Sequence, residues 1–190
     1  MAKILTHNYS SFEELVFFHW LKECEQADLI SNSIYQPESF LLSDKQFISI
    51  IKKYKTKVRQ EEKEKTIKRV LLSSHHYTAD WNFKLNTHLF NTVFHPDTTN
   101  IFVDIKGSYT RNGDGRDFII NQKWVYDKYG IYIYKIIPDI FFKETFAPDF
   151  IRKHRPGKQK EYIKTKKNRK KYDNMLTIKQ FISLQSCNKS

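Results

Sequence analysis

With 190 residues, 39% hydrophobic and 15% aromatic, the chain suits one domain with a proper core and is too rich in aromatics for wholesale disorder. Lys and Arg number 33 against 21 Asp and Glu, a formal charge of +12, the footprint expected of a polyanionic partner, with a solvated, solubilising tail as the alternative. The apolar runs fall far short of the roughly 18 residues that span a bilayer, Met1–Tyr9 lacks a signal-peptide core, and Cys24 and Cys187 are too few for a disulfide framework or a Cys-based zinc finger. The expectation is a soluble, cytoplasmic protein with no membrane partner.

The first element reads as a helix: Ser10-Ser11 offers an N-cap, Glu13 and Glu14 supply acids for the first turn, and Leu15, Phe17, Phe18 and Leu21 follow at helical spacing, with an end near Asp28. Ile34–Leu42 comes next, and its Pro37 predicts an edge strand or a bulge. A charged insertion then occupies about 43–73, in which Lys52–Val70 holds nine basic and three acidic residues. Tyr77–Leu85 alternates strictly, with Tyr77, Ala79, Trp81, Phe83 and Leu85 on one face and Thr78, Asp80, Asn82 and Lys84 on the other. Ile101–Lys106 repeats the device, setting Phe102, Asp104 and Lys106 against Ile101, Val103 and Ile105. Gly107 releases the backbone into a turn-rich loop, Ser108–Arg116; Asp117–Tyr129 predicts a helix closed by Gly130, and Ile131–Ile137 a buried strand. From Ile151 to Asp173 there are eleven basic and two acidic residues around a break at Pro156-Gly157. The fold class is therefore α/β: a mixed central sheet flanked by helices in the order αβββαβ, spanning 1–150, with a basic C-terminal extension over 151–190.

Asp80, Asp104 and Lys106 each fall on the polar face of a strand whose other face is apolar. Two neighbouring strands can hold the two carboxylates side by side, and hard oxygen donors suit Mg²⁺ or Mn²⁺. Lys106 shares a face with Asp104 and comes within reach of the same water or phosphate. By spacing alone the competing reading is a cross-strand ion pair at a sheet edge.

The succession of Ser11-Phe12-Glu13-Glu14, Tyr77-Thr78-Ala79-Asp80-Trp81 and Asp104-Ile105-Lys106-Gly107 resembles the PD-(D/E)XK nuclease superfamily. More closely, it is similar to small phage endonucleases related to Holliday-junction resolvases, over roughly Ser10 to Pro138. Ala79 stands where the superfamily has its proline, and the second acid is Asp rather than the commoner Glu. The resemblance implies a restriction-endonuclease-like core and a Mg²⁺- or Mn²⁺-dependent endonuclease acting on DNA, with branched DNA such as a Holliday junction among its substrates. It also implies that Asp80 and Asp104 bind the metal, that Lys106 assists hydrolysis and that Glu14 completes the site, with Glu13 the alternative if the helix register differs by one. Two symmetric cuts at a junction would call for a homodimer.

The remaining candidates are peripheral. Lys123 on the second helix, Arg111 and Arg116 in or beside the turn-rich loop, and Lys166, Lys167, Arg169, Lys170 and Lys171 in the tail are expected phosphate contacts. His75-His76 cannot easily ligate one ion, since consecutive strand residues point to opposite faces, and a structural or DNA-contacting role is expected. Trp20, Trp81 and Trp124 are assigned to the core. Two other functions stand beside the nuclease: a non-catalytic nucleic-acid-binding or assembly protein on the same fold, and a basic RNA-binding accessory protein.

Overall fold

Ser11 caps the first helix as its sequence predicts: its Oγ accepts a hydrogen bond from the Glu14 amide at 3.1 Å, satisfying a donor the helix cannot. In the computed structural model, which describes residues 9–55, 62–107, 114–153 and 172–187, this helix is α1 (Phe12–Gln26). The chain continues through β1 (Ile30–Tyr35), β2 (Phe40–Ser43), β3 (Gln46–Lys55), β4 (Glu62–Leu72), β5 (His75–Tyr77), β6 (Trp81–Leu85) and β7 (Asn100–Ile105). It closes with α2 (Asp114–Tyr129), β8 (Ile133–Ile136), α3 (Pro138–Glu144), α4 (Asp149–Lys153) and α5 (Ile178–Cys187).

The central sheet has the order β1-β6-β7-β8, antiparallel except for the β7–β8 pair. That parallel pair needs a crossover, and α2 supplies it. Strand β7 is thus central, which explains its near-complete burial. Val16, Phe17, Trp20, Leu21 and Cys24 of α1 cover one face of the sheet together with Phe83, Ile101, Val103 and Ile105. Trp20 anchors this layer: its ring centroid lies 5.0 Å from Phe141, 5.3 Å from Phe90 and 5.6 Å from Phe146. On the opposite face Phe118 and Val125 of α2 pack against Phe40, Leu42, Ala79 and Ile133. Lys128 Nζ and Tyr129 Oη both donate to the Leu41 carbonyl at 2.8 Å, fastening α2 to β2.

Several expectations need correction. Ile34–Leu42 is two strands in two sheets, because Gln36 adopts φ 46° and Pro37 carries no amide to continue a ladder. Both pieces are edge strands with a register irregularity, β1 between Ser31 and Ile34, where Asn32 has φ 56°, and β2 between Leu41 and Ser43. Tyr77–Leu85 is likewise broken: β5 pairs with β2, β6 pairs with β1 and β7, and Ala79 packs in the α2 layer while Trp81 and Phe83 pack in the α1 layer. Trp20 and Trp81 are buried, whereas Trp124 is 39% exposed, its ring stacked on His75 of β5 rather than packed in the core. Strand β8 lies at the sheet edge, though Ile133 and Ile136 are buried. The charged insertion, given no structure from sequence, contains two strands: β3 and β4 form a long antiparallel ribbon that prolongs the β2–β5 pair. Beyond residue 151 the chain also contributes to the core, where Phe181 of α5 stacks on Phe90 at 5.4 Å.

Candidate active site

Asp80 occupies the bend between β5 and β6, and its backbone is tied on both sides. Its amide donates to Val103 O at 3.0 Å, and its carbonyl accepts from Gln36 N at 2.8 Å. The β6–β7 ladder ends at Trp81 opposite Val103; beyond it the Asp80 side chain takes over, Oδ2 accepting from the Ile105 amide at 2.6 Å. The carboxylate is therefore locked beside β7. There it meets Asp104, 4% exposed, which alternation along β7 directs to the same side of the sheet as Phe102. Lys106 Nζ reaches back to Asp104 Oδ2 at 2.9 Å, while its own amide donates to Ile136 O. The structure thus brings Asp80, Asp104 and Lys106 together, with Asp80 presented from the bend before β6 rather than from the polar face of a strand.

The electrostatics of this trio are unbalanced. Burial, then the adjacent Asp104 carboxylate, push the Asp80 carboxyl up to about 8 against the opposing pull of the Ile105 N–H, with Glu14 adding a further upward push. One lysine does not neutralise the two aspartates and Glu14 together. Tyr77 at the end of β5 completes the wall: its hydroxyl is buried without a well-formed hydrogen bond, and burial together with the Asp104 and Asp80 charges drives its phenol far upward. Two oxygen-bearing carboxylates with a charge surplus fit a hard divalent cation, which commonly takes one or two protein carboxylates and keeps its waters. Among the described residues, no three His, Cys, Asp or Glu side chains group closely enough to chelate an ion together.

Glu14 is buried, 5% exposed, and its charge is felt at Asp80, yet its oxygens already have partners. They accept from Ser10 N at 3.3 Å, from the hydroxyls of Ser10 and Ser11, and from Tyr35 Oη at 2.9 Å. Burial, and then that hydrogen bond to Glu14, raise the Tyr35 phenol. Glu13 has the nearer relation to the lysine strand, because a Cβ built on Gly107 would stand 3.5 Å from its Oε1. The resemblance takes in Tyr77-Thr78-Ala79-Asp80-Trp81 and Tyr35-Gln36-Pro37 but gives the two tyrosines no chemical role.

The peripheral candidates divide. Lys123 and Arg116 are exposed on α2, and Lys123 borders a cleft of about 1350 Å³ formed with Phe94, Asn100, Phe102, Tyr126 and Tyr132, away from the aspartates. Gln122 is committed to structure, its Nε2 donating to Ile133 O at 2.5 Å. His75 is held by Asn121 at 2.9 Å and lies over the Trp124 ring at 5.5 Å, while His76 is exposed. Arg111 and the tail residues Lys166, Lys167, Arg169, Lys170 and Lys171 lie outside the described residues. No described helix is long and apolar enough to cross a membrane. Comparison with family models, with curated proteins and with solved structures found no match for the chain.

Proposed function

We propose that the chain is a divalent-metal-dependent endodeoxyribonuclease built on a restriction-endonuclease-like core, with Asp80 and Asp104 as metal ligands and Lys106 beside them. One observation carries the reading: two carboxylates meet, one from the bend before β6 and raised to about 8, the other on β7 with an ammonium 2.9 Å away. Buried acids that repel one another are costly to ionise unless a cation joins them. A bound Mg²⁺ or Mn²⁺ would polarise a phosphodiester and lower the pKa of a coordinated water. Lys106, anchored through its strand and about a quarter exposed, orients an incoming water or offsets charge growing on the phosphorus. Asp104 fixes the ammonium in place. Glu14, through Tyr35 and the two serines, holds the start of α1 against β1 and adds negative potential to the pocket.

The saturated hydrogen bonding of Glu14 favours a second reading, in which the same fold binds nucleic acid without cutting it. Incubation with supercoiled plasmid, linear duplex and a four-way junction, with and without Mg²⁺ or Mn²⁺, separates the two. Metal-dependent cleavage that disappears in Asp104→Ala and Lys106→Ala, with DNA binding intact, supports the nuclease. Binding without cleavage under either metal supports the second reading.

A further inference from the structure

The β3–β4 ribbon projects from the β2–β5 pair with every described residue exposed except the half-buried Ile67, so packing does not explain its composition. Its register sorts the side chains, because residues opposite each other in an antiparallel ladder share a side and alternate residues switch. One face carries the pairs Ile48–Arg69, Ile50–Ile67, Lys52–Lys65 and Tyr54–Lys63. The other carries Phe47–Val70, Ser49–Lys68, Ile51–Thr66, Lys53–Glu64 and Lys55–Glu62. Each face has three apolar residues near the root, so hydrophobicity does not distinguish them. Charge does: among the described residues the first face sets Lys52, Lys63, Lys65 and Arg69 together with no acid, while Glu62 and Glu64 lie on the second, where Glu64 binds Lys53 at 3.3 Å.

Like charges placed directly opposite, as Lys52 and Lys65 are, destabilise a ladder unless an anion lies over them. A two-stranded ribbon also has the cross-section that a DNA major groove admits, and ten residues per strand extend about 33 Å, close to one duplex turn. We propose that the Lys52, Lys63, Lys65 and Arg69 face of the ribbon docks on duplex DNA, its cations on the phosphates that border a groove and Tyr54 among them. The inference rests on the DNA reading above and deepens it by naming where the duplex outside the cleavage site is held. The ribbon's root suits that purpose, since β5 ends at Tyr77 beside the aspartates.

The test compares two triple variants of the full-length chain that remove equal charge from opposite faces: K52Q/K63Q/K65Q and K53Q/K55Q/K68Q. Binding to a fluorescent 30-base-pair duplex is measured in EDTA across a salt series, so cleavage plays no part, with thermal melting to show that both variants fold. The first variant is expected to bind about tenfold or more weakly, with the slope of log affinity against log salt reduced by about 3, one for each lost phosphate contact. The second should stay within about 1 of the wild-type slope. Equal losses in both variants, no loss in the first, no duplex binding by the wild type, or a first-variant effect confined to single-stranded DNA would each overturn the proposal. So would a change in sedimentation-defined oligomeric state without a change in DNA affinity, which would assign the face to a second copy of the chain. Failure of the nuclease reading looks different: duplex binding that depends on this face, with no cleavage in Mg²⁺ or Mn²⁺.

Discussion

Strand β7 and the β3–β4 ribbon both interleave apolar with charged residues, yet β7 is buried on both faces and the ribbon on neither. In β7 alternation distributes residues between two packed layers: Ile101, Val103 and Ile105 go to α1, and Asp104 goes to a buried pocket. In the ribbon the same alternation sorts residues only by charge. The difference teaches that a strand pattern specifies two faces, while what lies over each face is decided by elements distant in sequence. It also separates a charge that is costly to bury from one that is merely solvated.

This contrast can be broken most directly at the core. Trp20→Ala, which opens a cavity among Phe141, Phe90 and Phe146, should cost about 3–5 kcal/mol, whereas Ile51→Ala on the ribbon should stay within about 0.5 kcal/mol. Chemical denaturation midpoints with matched slopes would measure both, and a ribbon substitution as damaging as the core one would show that the arm packs in solution. At the site, Asp104→Asn should lower the cleavage rate at least about 10³-fold, roughly 4 kcal/mol of barrier, with little loss of duplex affinity. A residual rate near that of the wild type would remove Asp104 from the chemistry.

A pH series sharpens the comparison further. The Asp80 carboxyl is held up to about 8, above the roughly 4 of an unfolded aspartate, so between those values the native state binds the extra proton and stability falls as pH rises. In EDTA, the urea midpoint should drop from pH 5 to pH 8 more in the wild type than in Asp80→Asn, and saturating Mg²⁺ should reduce that drop by replacing the proton. Parallel curves for the two proteins would contradict the buried-pair account. The smallest effect belongs to the ribbon: Glu64→Gln, which removes the exposed partner of Lys53, should change stability by no more than about 0.5 kcal/mol in the same assay.

Much of the site was readable because its signals are local. Ser11 and Glu14 mark the start of α1, Gly130 with φ 67° closes α2, and a two-residue spacing puts Asp104 and Lys106 on one side of a strand. The break at Thr78–Asp80 was not readable, since it exists to let β5 leave for β2 while β6 stays in the central sheet. Tyr77 and Tyr35 stood in the recognised motifs, but their contacts were not readable, since Tyr35 meets Glu14 and Tyr77 meets Asp104, each 21 or more positions away. The approach of Glu13 to Gly107 depends on how α1 is seated, which no spacing within α1 reports.

The order of amino acids by itself determined the helix caps, the alternation of β7, the identity of the two aspartates and the lysine, and the concentration of positive charge. Those follow from backbone sterics and side-chain period within a few residues. Only the tertiary structure decided that Asp80 closes the β6–β7 ladder through its carboxylate, that Phe181 returns to the core, and that the described strands of the charged insertion pair so that Glu62 and Glu64 share one face. The first two join segments far apart along the chain, and such pairings are selected by burial of the whole rather than by any local pattern; the ribbon is a hairpin of consecutive exposed strands whose cross-strand register sorts its charges.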